Sequence, residues 1–291
     1  MSSLSFDMFS IYSALSMPST QEFRLTLTPN KPAPDTDVLS ATQIHCTPYK
    51  GNKISLYNGT SWSTHTSPQF SLELGTLVDN MPYDVFCYDN ANEPALESLV
   101  WATETTRVTD LNYQDGVLVK ADDVTRRYLG SFYTTSATET EDSIKNRYLW
   151  NYYHRIHRPM FCTDTAISWT YNGTVWRQAN DNVTNQINMM IGLNEDAINA
   201  TAQFYNVSSS GVIPQIAGIA IGLDSTTTPV TMGTYAKDTI SMTASTSLTA
   251  AFNGFVGIGK HSLVWLEISD ASDTRIFSSD SASGIIGSVL A

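Results

Sequence analysis

Apolar and polar residues alternate over short stretches along most of this chain. Phe23, Leu25 and Leu27 alternate with polar residues before a proline-rich stretch, and similar runs follow up to about residue 135. The same pattern returns between residues 159 and 291. A period of two, interrupted by turn residues about every 8–12 positions, is typical of short antiparallel strands. The pattern therefore predicts an all-β protein with sandwich or barrel architecture.

One hexapeptide occurs twice with a single change. Residues 57–62 read YNGTSW and residues 171–176 read YNGTVW. Asn-Gly is the strongest short hairpin signal, because a type I′ turn requires positive φ at both central residues. Each copy therefore predicts a β-hairpin, and the repeat predicts two β-rich domains in series.

We divide the chain into four segments on this basis. Residues 1–20 contain Phe6 and Phe9 at loosely helical spacing and are interpreted as an N-terminal docking segment. Residues 21–135 are predicted to form a β-sandwich domain. Residues 136–158 are predicted to connect it to a jelly-roll-like β domain at residues 159–291.

The connector is rich in aromatic residues. Tyr148, Trp150 and Tyr152 alternate with other residues, which predicts an extended strand from about Arg147 onward. Thr138 with Glu141 resembles a helix capping box, so a helical turn is predicted before that strand. Arginines interleaved with aromatic residues are favoured at protein interfaces, so we interpret this segment as a subunit or domain interface.

Charge excludes some classes of partner. Charged residues make up only 15% of the chain, and the net charge is −12. Residues 1–158 carry 12 basic and 18 acidic side chains, and residues 159–291 carry 4 and 10, so each part has a charge of −6. We therefore expect no nucleic-acid partner and no insertion into a membrane. Cys46, Cys87 and Cys162 lie in strand-like contexts and are interpreted as buried, unpaired hydrophobic residues.

Several motifs imitate functional sites. Gly254–His261 resembles a phosphate-binding loop, but His261 replaces the required Ser or Thr and a strand-like run follows. We interpret it as a glycine-rich approach to a core strand. His154 and His157 would point to opposite faces of a strand, so they could share an ion only on the symmetry axis of an oligomer.

Charged residues elsewhere also have simple explanations. Arg126 and Arg127 are expected to pair with Asp122 and Asp123 on a hairpin. The carboxylates at 195–196, 270 and 273 could be imagined as a glycosidase pair, but spacing along the chain does not fix their separation. We predict no catalytic residue, no cofactor and no metal site, and we expect the protein not to be an enzyme.

Five blocks of sequence carry a resemblance to a known family. They are Tyr83–Asn90, Gln114–Lys120 with Arg126–Gly130, Arg147–Tyr153, Trp176–Asn180 and Gly259–Glu267. Together they are similar to a recurrent family of tailed-bacteriophage virion proteins, and the likeness extends over about residues 21–291. It implies a structural protein of the fibre, baseplate or capsid-surface type, assembled as a homotrimer. It brings no catalytic motif with it.

The resulting functional hypothesis is a virion structural protein of the tail-fibre or receptor-binding type. The alternatives are a capsid decoration (cement) protein that stabilises the head lattice and a glycan-cleaving tail spike. Expected partners are sister copies, other virion proteins and a host surface glycan, in a particle assembled in the host cytoplasm. The candidate interface residues are Phe6, Phe9, Tyr148, Trp150, Tyr152, Arg155, Ile285 and Leu290.

Overall fold

A computed structural model describes residues 17–209, 215–231, 233, 236–240, 246–270, 275–278 and 283–291. These residues contain 25 strands and one short 3₁₀ helix, and they contain no α-helix, which confirms the all-β prediction. No described helix is long and apolar enough to cross a bilayer. Phe6, Phe9 and the rest of residues 1–16 lie outside the described residues.

The first eleven strands lie before residue 137. They are β1 (Phe23–Thr26), β2 (Val38–Ala41), β3 (Gln43–Pro48), β4 (Lys53–Tyr57), β5 (Trp62–Thr66), β6 (Phe70–Glu73), β7 (Pro82–Asn90), β8 (Glu93–Val100), β9 (Leu111–Gln114), β10 (Val117–Lys120) and β11 (Asp123–Ser136).

Fourteen further strands are described after β11, with the 3₁₀ helix (Ala179–Asp181) between β17 and β18. They are β12 (Glu139–Asp142), β13 (Asn146–Arg147), β14 (Leu149–Asn151), β15 (His157–Cys162), β16 (Ser168–Tyr171), β17 (Arg177–Gln178), β18 (Gln186–Ile191), β19 (Ile198–Ser209), β20 (Gln215–Leu223), β21 (Ala236–Ile240), β22 (Thr246–Gly254), β23 (Gly259–Ser269), β24 (Arg275–Ser278) and β25 (Gly284–Leu290).

Within the described ranges these strands form four sheets. β1, β3 and β6 form a three-stranded sheet, and β4 and β5 form a two-stranded one. A sheet of 14 strands follows the order β21-β20-β23-β18-β13-β12-β11-β10-β9, with β2, β7, β8, β14 and β17 joined to its sides. A six-stranded sheet follows the order β15-β25-β19-β24-β16, with β22 paired to β19.

The large sheet joins the two halves of the chain. β13, in the predicted connector, pairs in parallel with β18 through Asn146–Asn188 and Arg147–Met189. One core cluster likewise combines Phe86 and Trp150 with Trp265 and many other residues of the second half. The connector is therefore built into the sheet and the core, and it does not act as an exposed linker.

The first copy of the hexapeptide forms a hairpin. β4 and β5 pair in register from Lys53–Thr66 to Tyr57–Trp62. The amide of Asn58 donates to the carbonyl of Ser61 at 3.1 Å, so Gly59 and Thr60 are the central residues of the turn. Gly59 has φ +95°, whereas neither Asn58 nor Thr60 has positive φ. The predicted hairpin is confirmed, but the predicted type I′ turn centred on Asn-Gly is wrong.

The second copy does not form a hairpin. β16, which ends at Tyr171, pairs with β24 in the six-stranded sheet, and β17, which begins at Arg177, pairs with β23 in the large sheet. Trp169 on β16 is buried, and its ring stacks 6.3 Å from that of Phe277 on β24. The predicted second hairpin is wrong, because each flanking strand has its own partner in a different sheet.

The extended strand predicted from about Arg147 onward is present only up to Asn151, because residues 152–154 bend and His154 has φ +53°. The helical turn predicted before that strand is wrong. β12 begins at Glu139, and Thr140 lies opposite Thr134 of β11. The Thr140 hydroxyl donates to the carbonyl of Tyr133 at 2.7 Å. β12 pairs with β11 on one side and β2 on the other, and this pairing provides hydrogen-bond partners for its backbone N–H and C=O groups. A helical turn would add no further backbone hydrogen bonds.

Candidate assembly surface

Four neighbouring strands of the second half present an open face to solvent. Their order is β15-β25-β19-β22, and alternate residues of each strand point into the core. Met160, Ala202, Phe252 and Ile285 are inward-facing and at most 2% exposed. The residues between them therefore define the outer surface of this part of the sheet.

The register aligns the outward residues in rows across the four strands. In one row Phe161 lies opposite Ile286, which lies opposite Thr201, which lies opposite Ala251. Ile286 is 57% exposed, which is unusual for a residue in the middle of a paired strand. The neighbouring row consists of Pro159, Ser288, Asn199 and Asn253.

This face carries no formal charge among its outward positions, although the chain as a whole has a net charge of −12. One histidine, His157, lies at the edge of this face. We call this surface the uncharged face. Its outward residues are His157, Pro159, Phe161, Asn199, Thr201, Gln203, Tyr205, Ser247, Thr249, Ala251, Asn253, Ile286, Ser288 and Leu290.

The centre of the uncharged face is slightly concave. A shallow depression of about 410 Å³ lies over the two rows and is lined by Thr201, Ala251, Asn253, Ile286 and Ser288, among others. Amide and hydroxyl groups surround the exposed apolar surface of Ile286. An apolar centre with an uncharged polar rim is typical of protein–protein contacts.

Three residues predicted to form an interface are buried inside the chain. Trp150 is 1% exposed, Tyr148 is 8% exposed and Ile285 is fully buried. The rings of Tyr148 and Tyr133 have centroids 5.0 Å apart, and Trp150 packs 6.5 Å from Tyr128. These three residues belong to the core cluster that joins the two halves of the chain, so they are not available to a subunit interface.

Tyr152 and Arg155 are half-buried and make contacts within the chain. The Tyr152 ring lies 4.7 Å from that of Tyr153, and burial raises the pKa of Tyr152 to about 12. Arg155 forms an ion pair with Glu195 at 2.8 Å and also binds Asp196. Both residues therefore take part in the packing of the connector, and the two carboxylates have a cationic partner.

Leu290, a predicted interface residue, lies on the uncharged face, but the most exposed residue nearby is Ile286. Leu290 is half-buried opposite His157 at one end of β25. Ile285 and Ile286 are both apolar, so alternation alone does not decide which of them points outward. Sequence reasoning missed Ile286, Phe161 and Thr201 because only the pairing of β25 with β15 and β19 places them in one row.

The two arginines after the acidic turn behave differently. Arg126 lies 3.6 Å from Asp123, as expected, and 3.0 Å from Glu97. Arg127 is only 1% exposed and donates to the carbonyls of Pro18, Thr20 and Ser55 at 2.7–3.0 Å. The prediction that Arg127 pairs with a neighbouring aspartate is therefore wrong, because its strand points it into the interior.

The remaining motifs have structural explanations. Gly259 begins the core strand β23, which confirms the interpretation of the glycine-rich stretch before it. His154 contacts the carbonyl of Gln21 at 2.6 Å, whereas His157 is exposed at the start of β15. In the part of the chain that the structure describes, no three His, Cys, Asp or Glu side chains are placed to hold a metal ion. Cys46, Cys87 and Cys162 are unpaired and buried, as expected.

Comparisons with known proteins give only distant likenesses. No protein-family model and no curated protein matches the chain. A structure of Eiger TNF from S. frugiperda has a TM-score of 0.32 and 8% identity, covering 47% of this chain and 92% of that one. The infectious bursal disease virus Gx strain structure has a TM-score of 0.24 and 9% identity, covering 94% and 81%.

A third solved structure, the mosquito-larvicidal Cry4Aa toxin from Bacillus thuringiensis, has a TM-score of 0.23 and 9% identity. The match covers 92% of this chain and 51% of the toxin. Likenesses at these scores carry no conclusion about the function of the chain.

Proposed function

We propose that this chain is a structural protein of a tailed-bacteriophage particle that works by self-association, and that the uncharged face is its contact with sister copies. The observation that carries the proposal is an exposed four-stranded surface without charge on a chain with a net charge of −12. Acidic copies repel one another wherever charged surfaces meet. The uncharged face is where two copies can approach without that repulsion, so a second copy is the occupant that fits it.

The proposed assembly is a homotrimer, as the sequence resemblance implies. Closed symmetric assemblies cover surfaces and sheet edges that a single chain exposes. In this proposal the chain comprises two β modules, a sandwich before the connector and a jelly-roll-like module after it, which share the large sheet. The uncharged face belongs to the second module.

The proposal is tested by placing a charge at the centre of the uncharged face. We expect the wild-type protein to have the mass of a trimer in light scattering and sedimentation, and Ile286→Glu to dissociate toward monomer. Ile167→Glu is the matched control, because Ile167 is 83% exposed and lies outside this face. A wild-type protein that stays monomeric up to high concentration would overturn the proposal, as would an Ile286→Glu variant that keeps the trimer mass.

Within this class we propose a tail-fibre or receptor-binding role in the virion, without enzymatic activity. Antibody labelling of intact particles distinguishes this role from its alternatives. Label on the tail or its fibres supports it, and label on the head lattice would support the capsid decoration role. Turnover of host polysaccharide by the purified protein would instead indicate a tail spike.

A further inference from the structure

The two copies of the hexapeptide place the same reactive dipeptide in two different surroundings. Asn58-Gly59 and Asn172-Gly173 are two of the three Asn-Gly dipeptides in the chain. An Asn side chain before glycine is open to attack by the next backbone nitrogen, because glycine has no Cβ to obstruct the approach. Asn58 and Asn172 are both exposed, so water reaches both side-chain amides. Exposure therefore does not distinguish the two sites.

Hydrogen bonds hold Asn58 in its hairpin turn. Its Oδ1 atom accepts hydrogen bonds from the backbone amides of Thr60 and Ser61, both at 2.9 Å. Its own backbone amide donates to the carbonyl of Ser61 at 3.1 Å. An Asn side chain bonded to the amides that follow it forms an Asx turn, in which side chain and backbone fix each other. Any rotation of the Asn58 side chain therefore breaks two hydrogen bonds.

Asn172 lacks these restraints. β16 ends at Tyr171 and β17 begins at Arg177, so the dipeptide lies in the segment that crosses between two sheets. Among the described residues, neither the Asn172 side chain nor the backbone amide of Gly173 has a hydrogen-bond partner. The carbonyl of Gly173 accepts a hydrogen bond from the amide of Ser269 at 3.0 Å, which leaves the Gly173 nitrogen unoccupied. Rotation of the Asn172 side chain therefore breaks no hydrogen bond.

The third Asn-Gly dipeptide lies inside a paired strand. Asn253 and Gly254 are the last two residues of β22, opposite Asn199 and Ile198 of β19. Closing a ring between the Asn253 side chain and the next nitrogen requires a change in the extended backbone torsions that this pairing holds. The strand therefore protects Asn253 as the turn protects Asn58.

We infer that Asn172 is a site of spontaneous deamidation. The Gly173 nitrogen, after losing its proton to a solvent base, attacks Cγ of Asn172 and closes a succinimide ring. The Cγ–Nδ2 bond breaks, and the leaving nitrogen takes up a proton and departs as ammonia. Water then hydrolyses the ring at either carbonyl, which gives aspartate or isoaspartate.

The reaction consumes one water molecule and needs no other reactant. It adds one negative charge to the segment between β16 and β17, and the isoaspartate product also lengthens the main chain there by one carbon. The inference does not depend on the proposed function, because Asn172 lies outside the uncharged face.

The test is peptide mapping by mass spectrometry of the full-length protein after incubation in mildly alkaline buffer. Wild type is compared with Val175→Ser, which makes the two hexapeptides identical in sequence. In both folded proteins we expect Asn172 to convert at least about fivefold faster than Asn58, because ring closure at Asn58 first breaks two hydrogen bonds. In concentrated urea the chain is unfolded, so the two sites of Val175→Ser should convert at equal rates.

Gly173→Ala should lose most of the conversion at Asn172, because its methyl group obstructs the attacking nitrogen. Val175→Ser is its matched control, since it changes the same segment and leaves the dipeptide intact. Circular dichroism establishes that each variant is folded.

Three results would overturn the inference. The first is equal or faster conversion of Asn58 in the folded protein, which would mean that the amides of Thr60 and Ser61 activate its side-chain carbonyl. The second is a difference between the two sites that persists in urea. The third is an absence of conversion at Asn172 in the folded protein over a period in which the unfolded chain converts.

Discussion

Nearly the same six residues fold in two different ways in this molecule. In residues 57–62 they close a hairpin between β4 and β5, which form a two-stranded sheet. In residues 171–176 they cross from the six-stranded sheet to the large sheet. The turn signal is the same in both places, so the difference comes from what lies on either side of it.

The partners of the flanking strands account for the difference. Near the first copy, Trp62 Nε1 donates to Asp115 at the surface at 2.9 Å. Near the second copy, Arg177 Nε and Trp169 Nε1 donate to the buried Glu267 of β23 at 2.7 and 2.6 Å. A local hairpin forms where the flanking strands have no stronger partner. Where such a partner exists, buried long-range contacts override the hairpin.

The largest expected effect comes from removing the buried carboxylate beside the second copy. Glu267→Ala leaves the donors of Trp169, Arg177 and Asn180 without their acceptor in the interior. We expect the free energy of unfolding to fall by about 3–5 kcal/mol in urea denaturation. Asp115→Ala, at the surface near the first copy, is the control and should shift the midpoint only slightly. Similar losses of stability in Glu267→Ala and Asp115→Ala would show that the contacts beside the second copy are not the stronger ones.

The contribution to stability should change with pH in opposite directions at Glu267, near the second copy, and at Asp115, near the first. Burial raises the pKa of Glu267 from its ordinary 4.5 to about 7. The folded protein then holds this proton more tightly than the unfolded chain, so the contribution of Glu267 to stability is full below pH 4.5 and is lost as pH rises through 7. Hydrogen bonds from Trp62 and Gln114 lower the pKa of Asp115, so its contribution is instead lost as pH falls.

Urea denaturation of wild type and Glu267→Gln at a series of pH values measures this effect. We expect the stability of wild type relative to Glu267→Gln to decrease from about pH 4.5 to pH 7. A difference between the two proteins that stays constant over this range would show that Glu267 does not titrate there.

A smaller effect is expected at the repeated glycine. Gly59 has φ +95°, so Gly59→Ala should cost about 1–2 kcal/mol of stability. Gly173 does not have positive φ, but an added Cβ would lie 2.2 Å from Tyr171 Oη. The Tyr171 side chain can swing away at the loss of its 2.8 Å hydrogen bond to Val175, so Gly173→Ala should cost about 1 kcal/mol or less. Thermal or urea unfolding of both variants measures the two losses of stability. A larger loss in Gly173→Ala than in Gly59→Ala would contradict this prediction.

The smallest effect is expected from exchanging the one residue that differs between the copies. Ser61→Val combined with Val175→Ser exchanges the two hexapeptides, so residues 57–62 read YNGTVW and residues 171–176 read YNGTSW. Both positions are exposed, so we expect stability to change by less than about 0.5 kcal/mol. Amide NMR spectra should show residues 58–61 still in a hairpin turn. Loss of that turn, or a new hairpin at residues 171–176, would show that the hexapeptide itself decides the fold.

Sequence patterns predicted the strands well and their partners poorly. Alternation located β1, β6 and the extended part of the connector up to Asn151, because a strand with one face toward the core needs a period of two whatever it pairs with. The same pattern did not separate Ile285 from Ile286, nor reveal that Arg127 is buried while Arg126 is not. Those outcomes depend on register, and a shift of one residue exchanges the two faces of a strand.

The amino-acid sequence by itself determined the all-β class, the first hairpin, the burial of the cysteines and the acidic, lightly charged surface. These properties follow from local periodicity, turn chemistry and composition, which need no knowledge of distant residues. Tertiary structure alone decided the fate of the second hexapeptide, the joining of the two halves in one sheet, and the rows that form the uncharged face. Each of these results from pairing between strands far apart in the chain, and such pairing is settled by the competition for buried partners in the whole fold.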